Sequence, residues 1–379
     1  LLTGVKVSLR PNEKSKGYLH SLDGWRAIAV GAVLLDHAHP FGSLTVQHHL
    51  QRNGAEGVWL FFAISGLLIC SRMLSEESTY GRASLKNFYI RRAFRILPAA
   101  LTYLFVIAFL GAMHDIPFNL SSWMAALFFY RNYWHYFFGA TAATWFTGHF
   151  WSLSVEEHFY FLLPSIVVFF PRFRRQILLG LTAVSWGWLV YFLLIPSAKV
   201  LPLFWEQRTE FCISGLLIPA MLAMSLRSTS ATKTAVRYLS PWVLCLVVAV
   251  VTFYDHEGSP SYLLRIVLAK AIFNPLLLLS TVLHPQHLVT RLLETAPLKF
   301  VGRISYSLYL WQTLFLTRTF EYPGAIHLLQ RSTTVGLVCT FACAITSYYL
   351  IEMPLIRLGR RFSDATRRDL PRVQPELGV

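Results

Sequence analysis

The chain has 379 residues, of which 55% are hydrophobic and 14% charged, and 34 Lys and Arg against 19 Asp and Glu give a formal net charge of +15. Soluble domains carry roughly a quarter charged residues, so this composition, with a mean hydropathy of +0.48, excludes an ordinary water-soluble globule. The basic residues cluster in short segments between apolar runs, which argues against nucleic acid as a partner and matches the inside loops of a multi-spanning membrane protein.

The first twenty residues hold Lys6, Arg10, Lys14 and Lys16 without an apolar core, so residues 1–21 are expected to form a cytoplasmic tail and not a cleavable signal. A bilayer core about 30 Å thick takes about 20 apolar residues per helix. Eleven such windows follow: Leu22–Phe41, Gly57–Leu74, Pro98–Met113, Ser122–Phe138, Trp151–Phe170, Ile177–Ile195, Phe211–Leu226, Pro241–Phe253, Tyr262–Leu283, Ile304–Phe320 and Val335–Ile351. The basic stretches Arg82–Arg95 and Arg172–Arg175 must both lie inside, which permits only an even number of crossings between them. The Ser122–Phe138 window, interrupted by Arg131, Asn132 and His135, is therefore expected to be re-entrant or interfacial. The expectation is an all-α integral membrane protein of the cell's inner (plasma) membrane, with about ten transmembrane helices plus that re-entrant or interfacial helix. Both termini are expected to be cytoplasmic, with the membrane domain over residues 22–360 and a tail over 361–379. The five cysteines sit in apolar stretches without zinc or disulfide spacing and are expected to be packing residues, and no HExxH or comparable metal pattern occurs.

Charge inside a membrane span is expensive and defaults to a functional reading. The first window reads LDGWRAIAVGAVLLDHAHP. Eleven helical steps from Arg26 to His37 leave them roughly 20° apart in azimuth and about 16 Å apart along the axis, so both are expected to face one groove. A base at a reacting centre with an anchor for a phosphate-bearing donor suits such a pair, whereas a snorkelling arginine and a boundary histidine would be purely structural. Asp36 is adjacent to His37 and is expected to be solvated. In GVWLFFAISGLLI, Gly66 is expected to serve helix packing and Ser65 to line a pocket. In FYIRRAFRILP, Arg91, Arg92 and Arg95 form a basic amphipathic segment suited either to anionic lipid or to donor phosphates. In HFWSLSVEEHFYFLLP, one of Glu156 and Glu157 is expected to face inward and pair with Arg26 or an arginine of the basic segment.

These blocks in this order, with GRISYSLYLWQ over Gly302–Gln312 and IEMPLIRLGRR over Ile351–Arg361, resemble the membrane acyltransferase-3 family of O-acyltransferases over about Leu22 to Arg360. Its strongest marker is an arginine and a histidine separated by ten residues, here Arg26 and His37. The resemblance implies about ten membrane helices, an acyl-coenzyme A donor, usually acetyl-coenzyme A, reached from the cytoplasm, and His37 as catalytic base or acyl relay. It implies further that Arg26, Arg91, Arg92 and Arg95 hold the donor's phosphates, and that no metal takes part. Trp59 and Gln312 depart from the family pattern, standing where many members have an acidic residue and a histidine, and Gln312 does not titrate near neutral pH. The soluble hydrolase-like domain of some members has no expected counterpart after the last span.

The expected reaction has His37 take a proton from an acceptor hydroxyl, which attacks the donor thioester while Ser65 or Arg26 steadies the oxyanion and Glu156 supports the site. A covalent acyl-His37 route satisfies the same residues. The expected acceptor is a carbohydrate or glycolipid hydroxyl, with a small molecule such as a macrolide as the alternative. A transporter or flippase is the rival from another class.

Overall fold

A computed structural model of the chain describes residues 19–38, 54–194, 207–253, 260–316, 322 and 324–367. Among these residues all regular structure is helical and no strand occurs. The principal helices are α1 (His20–Ala38), α2 (Gly54–Tyr80), α3 (Leu85–Ala112), α4 (Leu120–Leu127), α5 (Arg131–Phe138), α6 (Phe150–Phe169), α7 (Arg174–Leu194), α8 (Ser214–Ser225), α9 (Thr229–Tyr238), α10 (Pro241–Phe253), α11 (Pro260–Leu283), α12 (Ala296–Arg303), α13 (Ser305–Phe315), α14 (Thr333–Ser347) and α15 (Met353–Arg367). Their starts are chemically marked: the side chains of Ser84, Asn119 and Ser332 accept backbone N–H bonds at the first turns of α3, α4 and α14. Pro98, Pro164, Pro219 and Pro275 lie inside helices, as apolar bundles tolerate.

Among the described residues three stretches are long and apolar enough to cross a membrane, α2, α3 and Thr333–Asp364, and a fourth counts if Thr209–Ser225 is joined to α9 across a 114° bend. The described residues do not test the expected number of ten spans. Charge inside the bundle is concentrated in α1, which carries Asp23, Arg26 and Asp36 in 19 residues, and in α6, which carries Glu156 and Glu157. The expected windows ending at Phe41, Ile195 and Phe320 run partly outside the described residues, as do both expected tails.

Three boundaries differ from the expectation. Ser122–Phe138 is not one helix but two eight-residue ones, α4 and α5, broken where Phe129 takes φ +54°. At about 12 Å each, neither is long enough to cross alone. The basic segment and the span after Pro98 are one continuous helix, α3. The last span does not stop at Ile351: it passes through a π-helical turn, Tyr348–Glu352, directly into α15.

Close packing sets the register at the centre. Gly54 faces Asp36 and Gly57 faces Ala29 and Val33, so α1 and α2 run antiparallel, with Ser65 at the level of Arg26. A methyl group on Gly57 would overlap the carbonyl oxygen of Ala29, and one on Gly66 would overlap that of Leu216 on α8. The cysteines are all free thiols, with Cys70 and Cys212 buried in the core, as packing residues should be. The α2–α8 contact predicts that Gly66→Val destabilises the fold by about 1–3 kcal/mol through overpacking. Thermal unfolding in detergent, compared with wild type, measures the loss.

Candidate active site

Five helices place polar side chains into one cleft of about 890 Å³, its open mouth included. Each contributes residues at helical spacing, so each presents a single face. From α2 come Phe61, Ser65, Leu68 and Arg72; from α3, Arg92, Arg95 and Ile96; from α6, Ser152, Glu156, Glu157 and Tyr160; from α13, Ser305, Tyr306 and Tyr309; and from α1, Arg26. Arg72, unremarked in the sequence reading, was legible there, because it stands seven residues after Ser65 and two helical turns return it to the same face.

The cleft is basic. Arg26 donates to Asp23 at 2.8 Å, but among the described residues no carboxylate lies within 4.0 Å of Arg72, Arg92 or Arg95. Both glutamates face the cleft, yet Glu156 is not ion-paired as expected: it accepts from Ser65 Oγ at 3.0 Å and from the Tyr160 hydroxyl. Arg92 lies over the Tyr160 ring at 4.5 Å, held by its quadrupole and not by an acid. The arrangement leaves guanidinium forks presented to a ligand, and phosphate is the group that such forks bind best.

Arg91 is not in this cleft. One residue before Arg92, it points about 100° away and donates to Ser363 at 2.7 Å and to Glu76 at 3.1 Å, tying α3 to α15 and α2. His37 is not in the cleft either, because the 16 Å rise of α1 carries it towards the other end of the bundle. Its Nδ1 donates to the Val33 carbonyl at 2.9 Å, which makes Nε2 the unprotonated nitrogen of the neutral ring. The ring lies 5.9 Å from that of Trp145, and Asp36 Oδ2 is 3.9 Å from Nδ1, too long for a hydrogen bond, with Asp36 half-buried. Ser65 and Arg26, at the far level of the bundle, are therefore not the oxyanion donors expected beside His37.

A second imidazole was missed. His149, fully enclosed just before α6, donates from Nδ1 to Thr313 Oγ1 at 3.0 Å; Thr313 donates to the Tyr103 hydroxyl at 2.8 Å, and Tyr103 to the Phe146 carbonyl at 2.7 Å. The direction of this chain is fixed by its terminal carbonyl, so His149 Nε2 is unprotonated, and it has no partner among the described residues. The Tyr309 hydroxyl donates to the His149 carbonyl at 3.0 Å, so Tyr309 joins this buried chain to the cleft that it lines. The sequence signal was only a histidine at the head of an apolar helix.

Other polar residues are structural. Arg131 is wholly buried, donating to Thr147 and to the Thr144 carbonyl and stacking at 4.6 Å on Trp134. His158 meets Thr209 at 2.6 Å, and among the described residues no group of three metal-ligating side chains occurs. Gln312 is buried in α13, its amide unpartnered among the described residues.

Comparison with known proteins gives a family and named relatives. A family model described as an acyltransferase domain matches residues 19–353. The peptidoglycan O-acetyltransferase OatA of Listeria monocytogenes is 26% identical over 371 residues, an alignment covering 92% of this chain and 58% of that protein. The O-acetyltransferase OatA of Staphylococcus aureus is 26% identical over 364 residues, covering 91% and 58% respectively. The chain thus spans under two thirds of the length of these relatives. No solved structure matches it.

The two environments of neighbouring arginines separate a ligand role from a tying role. Arg92→Gln and Arg95→Gln should each weaken binding of a phosphate-bearing ligand to the cleft, with coenzyme A as the probe, about tenfold or more, since each removes a charge-assisted contact of about 1.5–3 kcal/mol. Arg91→Gln should leave binding within about twofold and lower thermal stability instead, because it releases Glu76 and Ser363. Calorimetric titration and a melting curve of the same preparations check both.

Proposed function

The chain belongs to the acyltransferase family whose model spans residues 19–353, and from that premise we propose that it is a membrane O-acyltransferase moving an acyl group, acetyl in the first instance, from acyl-coenzyme A to a hydroxyl of a carbohydrate or glycolipid. The observation that carries this reading is the set of guanidiniums from α1, α2 and α3 around one cleft, three of them without a carboxylate partner among the described residues. Acyl-coenzyme A has phosphates at one end and a thioester at the end of a long flexible arm. Phosphates held by Arg26, Arg72, Arg92 and Arg95 leave the arm to run past Tyr309 and Ser152 towards His37, about 16 Å along α1.

At that point neutral His37 takes the acceptor hydroxyl proton on Nε2, the oxygen attacks the thioester carbonyl, and the tetrahedral intermediate collapses with loss of the coenzyme A thiolate, which receives the proton from His37. The Val33 carbonyl holds the required tautomer, since it only accepts. The role of Glu156 is to position: hydrogen bonds from Ser65 and Tyr160 fix it in the lining of the cleft that the arginines share. We take the end of the bundle that carries the basic segments around Arg82–Arg95 and Arg172–Arg175 to face the cytoplasm, on the positive-inside bias. The acceptor then meets His37 from the opposite side, as a polymer or lipid-linked sugar outside the cytoplasm would. The peptidoglycan in the name of the Listeria monocytogenes relative lends weight to a cell-surface polymer.

His37→Gln should cut acceptor-dependent release of coenzyme A by about 10²–10⁴-fold while leaving coenzyme A affinity within about twofold, because the anchor and the base are separate. Thiol release from acetyl-coenzyme A by purified protein in nanodiscs, with carbohydrate acceptors, measures the first, and calorimetry the second. Undiminished release would remove His37 from the reaction.

A further inference from the structure

A second basic cavity lies on the far side of α2 from the cleft. Leu74, which borders it, is two residues beyond Arg72 on the same helix and so points about 200° away. It holds about 700 Å³, its open mouth included, between the start of α7 and the α8–α9 bend, and Arg172, Arg174, Arg175 and Arg227 line it. One carboxylate serves this group: Glu77 accepts from Arg174 at 2.9 Å and lies 3.5 Å from Arg227. Arg175 donates to Ser225 Oγ at 2.8 Å, and among the described residues neither Arg172 nor Arg175 has a carboxylate within 4.0 Å. Such a cavity repels cations, and favours over a net-neutral headgroup a compact anion with several acceptor oxygens.

Its surroundings say where that anion comes from. Phe169, Phe170 and Phe173, the last aromatic residues of α6 and of the turn after it, are all exposed beside the arginines. Exposed phenyl rings next to unpaired guanidiniums, at the end of an apolar helix, mark the boundary between acyl chains and headgroups. We propose that this cavity binds the phosphate headgroup of an anionic glycerophospholipid from the surrounding leaflet, with its acyl chains along the exposed phenylalanines. The site is separate from the donor cleft and does not depend on the reading of that cleft.

Native mass spectrometry of the full-length chain in detergent tests this, with phosphatidylglycerol, phosphatidylcholine and inorganic phosphate as probes and with Arg172→Gln/Arg175→Gln and the charge-keeping Arg172→Lys/Arg175→Lys as variants. The expected result is at least fivefold more phosphatidylglycerol than phosphatidylcholine bound to wild type, no displacement by millimolar phosphate, loss of the excess in the glutamine pair and retention in the lysine pair. Equal binding of the two lipids, an unchanged excess in the glutamine pair, or displacement by inorganic phosphate would overturn the lipid assignment, the last by making it a free-phosphate site. If the glutamine pair does not fold, the lipid preference of wild type, its response to phosphate and its survival in the lysine pair still decide between these outcomes.

Discussion

Arg72, Arg92 and Arg95 stand in the interior cleft of an apolar helix bundle, and no carboxylate among the described residues neutralises them. Removing a guanidinium from water costs several kcal/mol unless charge or hydrogen bonds are returned to it. Here the return is partial: the Tyr160 ring under Arg92, the two glutamates that line the same cleft, and an open mouth that keeps water in reach. The remaining deficit is what an incoming anion makes good. The same bundle shows the contrary solution a few ångströms away, where Arg91 is fully engaged by Glu76 and Ser363 and holds helices together. Two adjacent arginines therefore serve two ends, and the 100° step between neighbours on a helix decides which.

The bundle is arranged around that cleft. Antiparallel packing of α1 on α2, made close by Gly57, brings Arg26 level with Ser65, and the contact of α2 with α8 at Gly66 fixes the helix that carries Arg72. With α1 clamped in this way, its axial rise becomes a fixed spacer between a cationic, anion-binding anchor and an imidazole. In the proposed division of labour, binding energy would be collected at the arginines, and proton transfer would occur at a nitrogen whose tautomer is set by its own helix. His149, held in a chain of hydroxyls with its Nε2 unprotonated, keeps that region of the bundle polar.

Much of this was legible in the sequence because helical periodicity is a strong signal when the background is apolar. Arg26 and His37 at eleven steps, Arg92 and Arg95 at three, and Glu156 with Tyr160 at four each mark one face, and all but His37 converge on the cleft. Arg72 obeyed the same rule with Ser65 but sat at the end of its window, where a boundary arginine is unremarkable. What periodicity alone does not give is pairing between helices: that Arg26 takes Asp23, that Glu156 takes hydroxyls and not a guanidinium, and that Arg91 turns outward are decided by which neighbours arrive. Helix ends were the weakest part. The αL kink at Phe129 and the π turn before Met353 are local backbone events with no compositional mark, so one expected helix became two and two became one.

The division of anchor and base is tested most directly by an electron cryo-microscopy structure of the full-length chain in nanodiscs with a non-hydrolysable thioether analogue of acetyl-coenzyme A. The predicted result is density for the phosphates among Arg26, Arg72, Arg92 and Arg95, with the pantetheine arm passing Tyr309 and the sulfur end beside His37. Phosphate density elsewhere, or a sulfur end that stays within the basic cleft remote from His37, would contradict it.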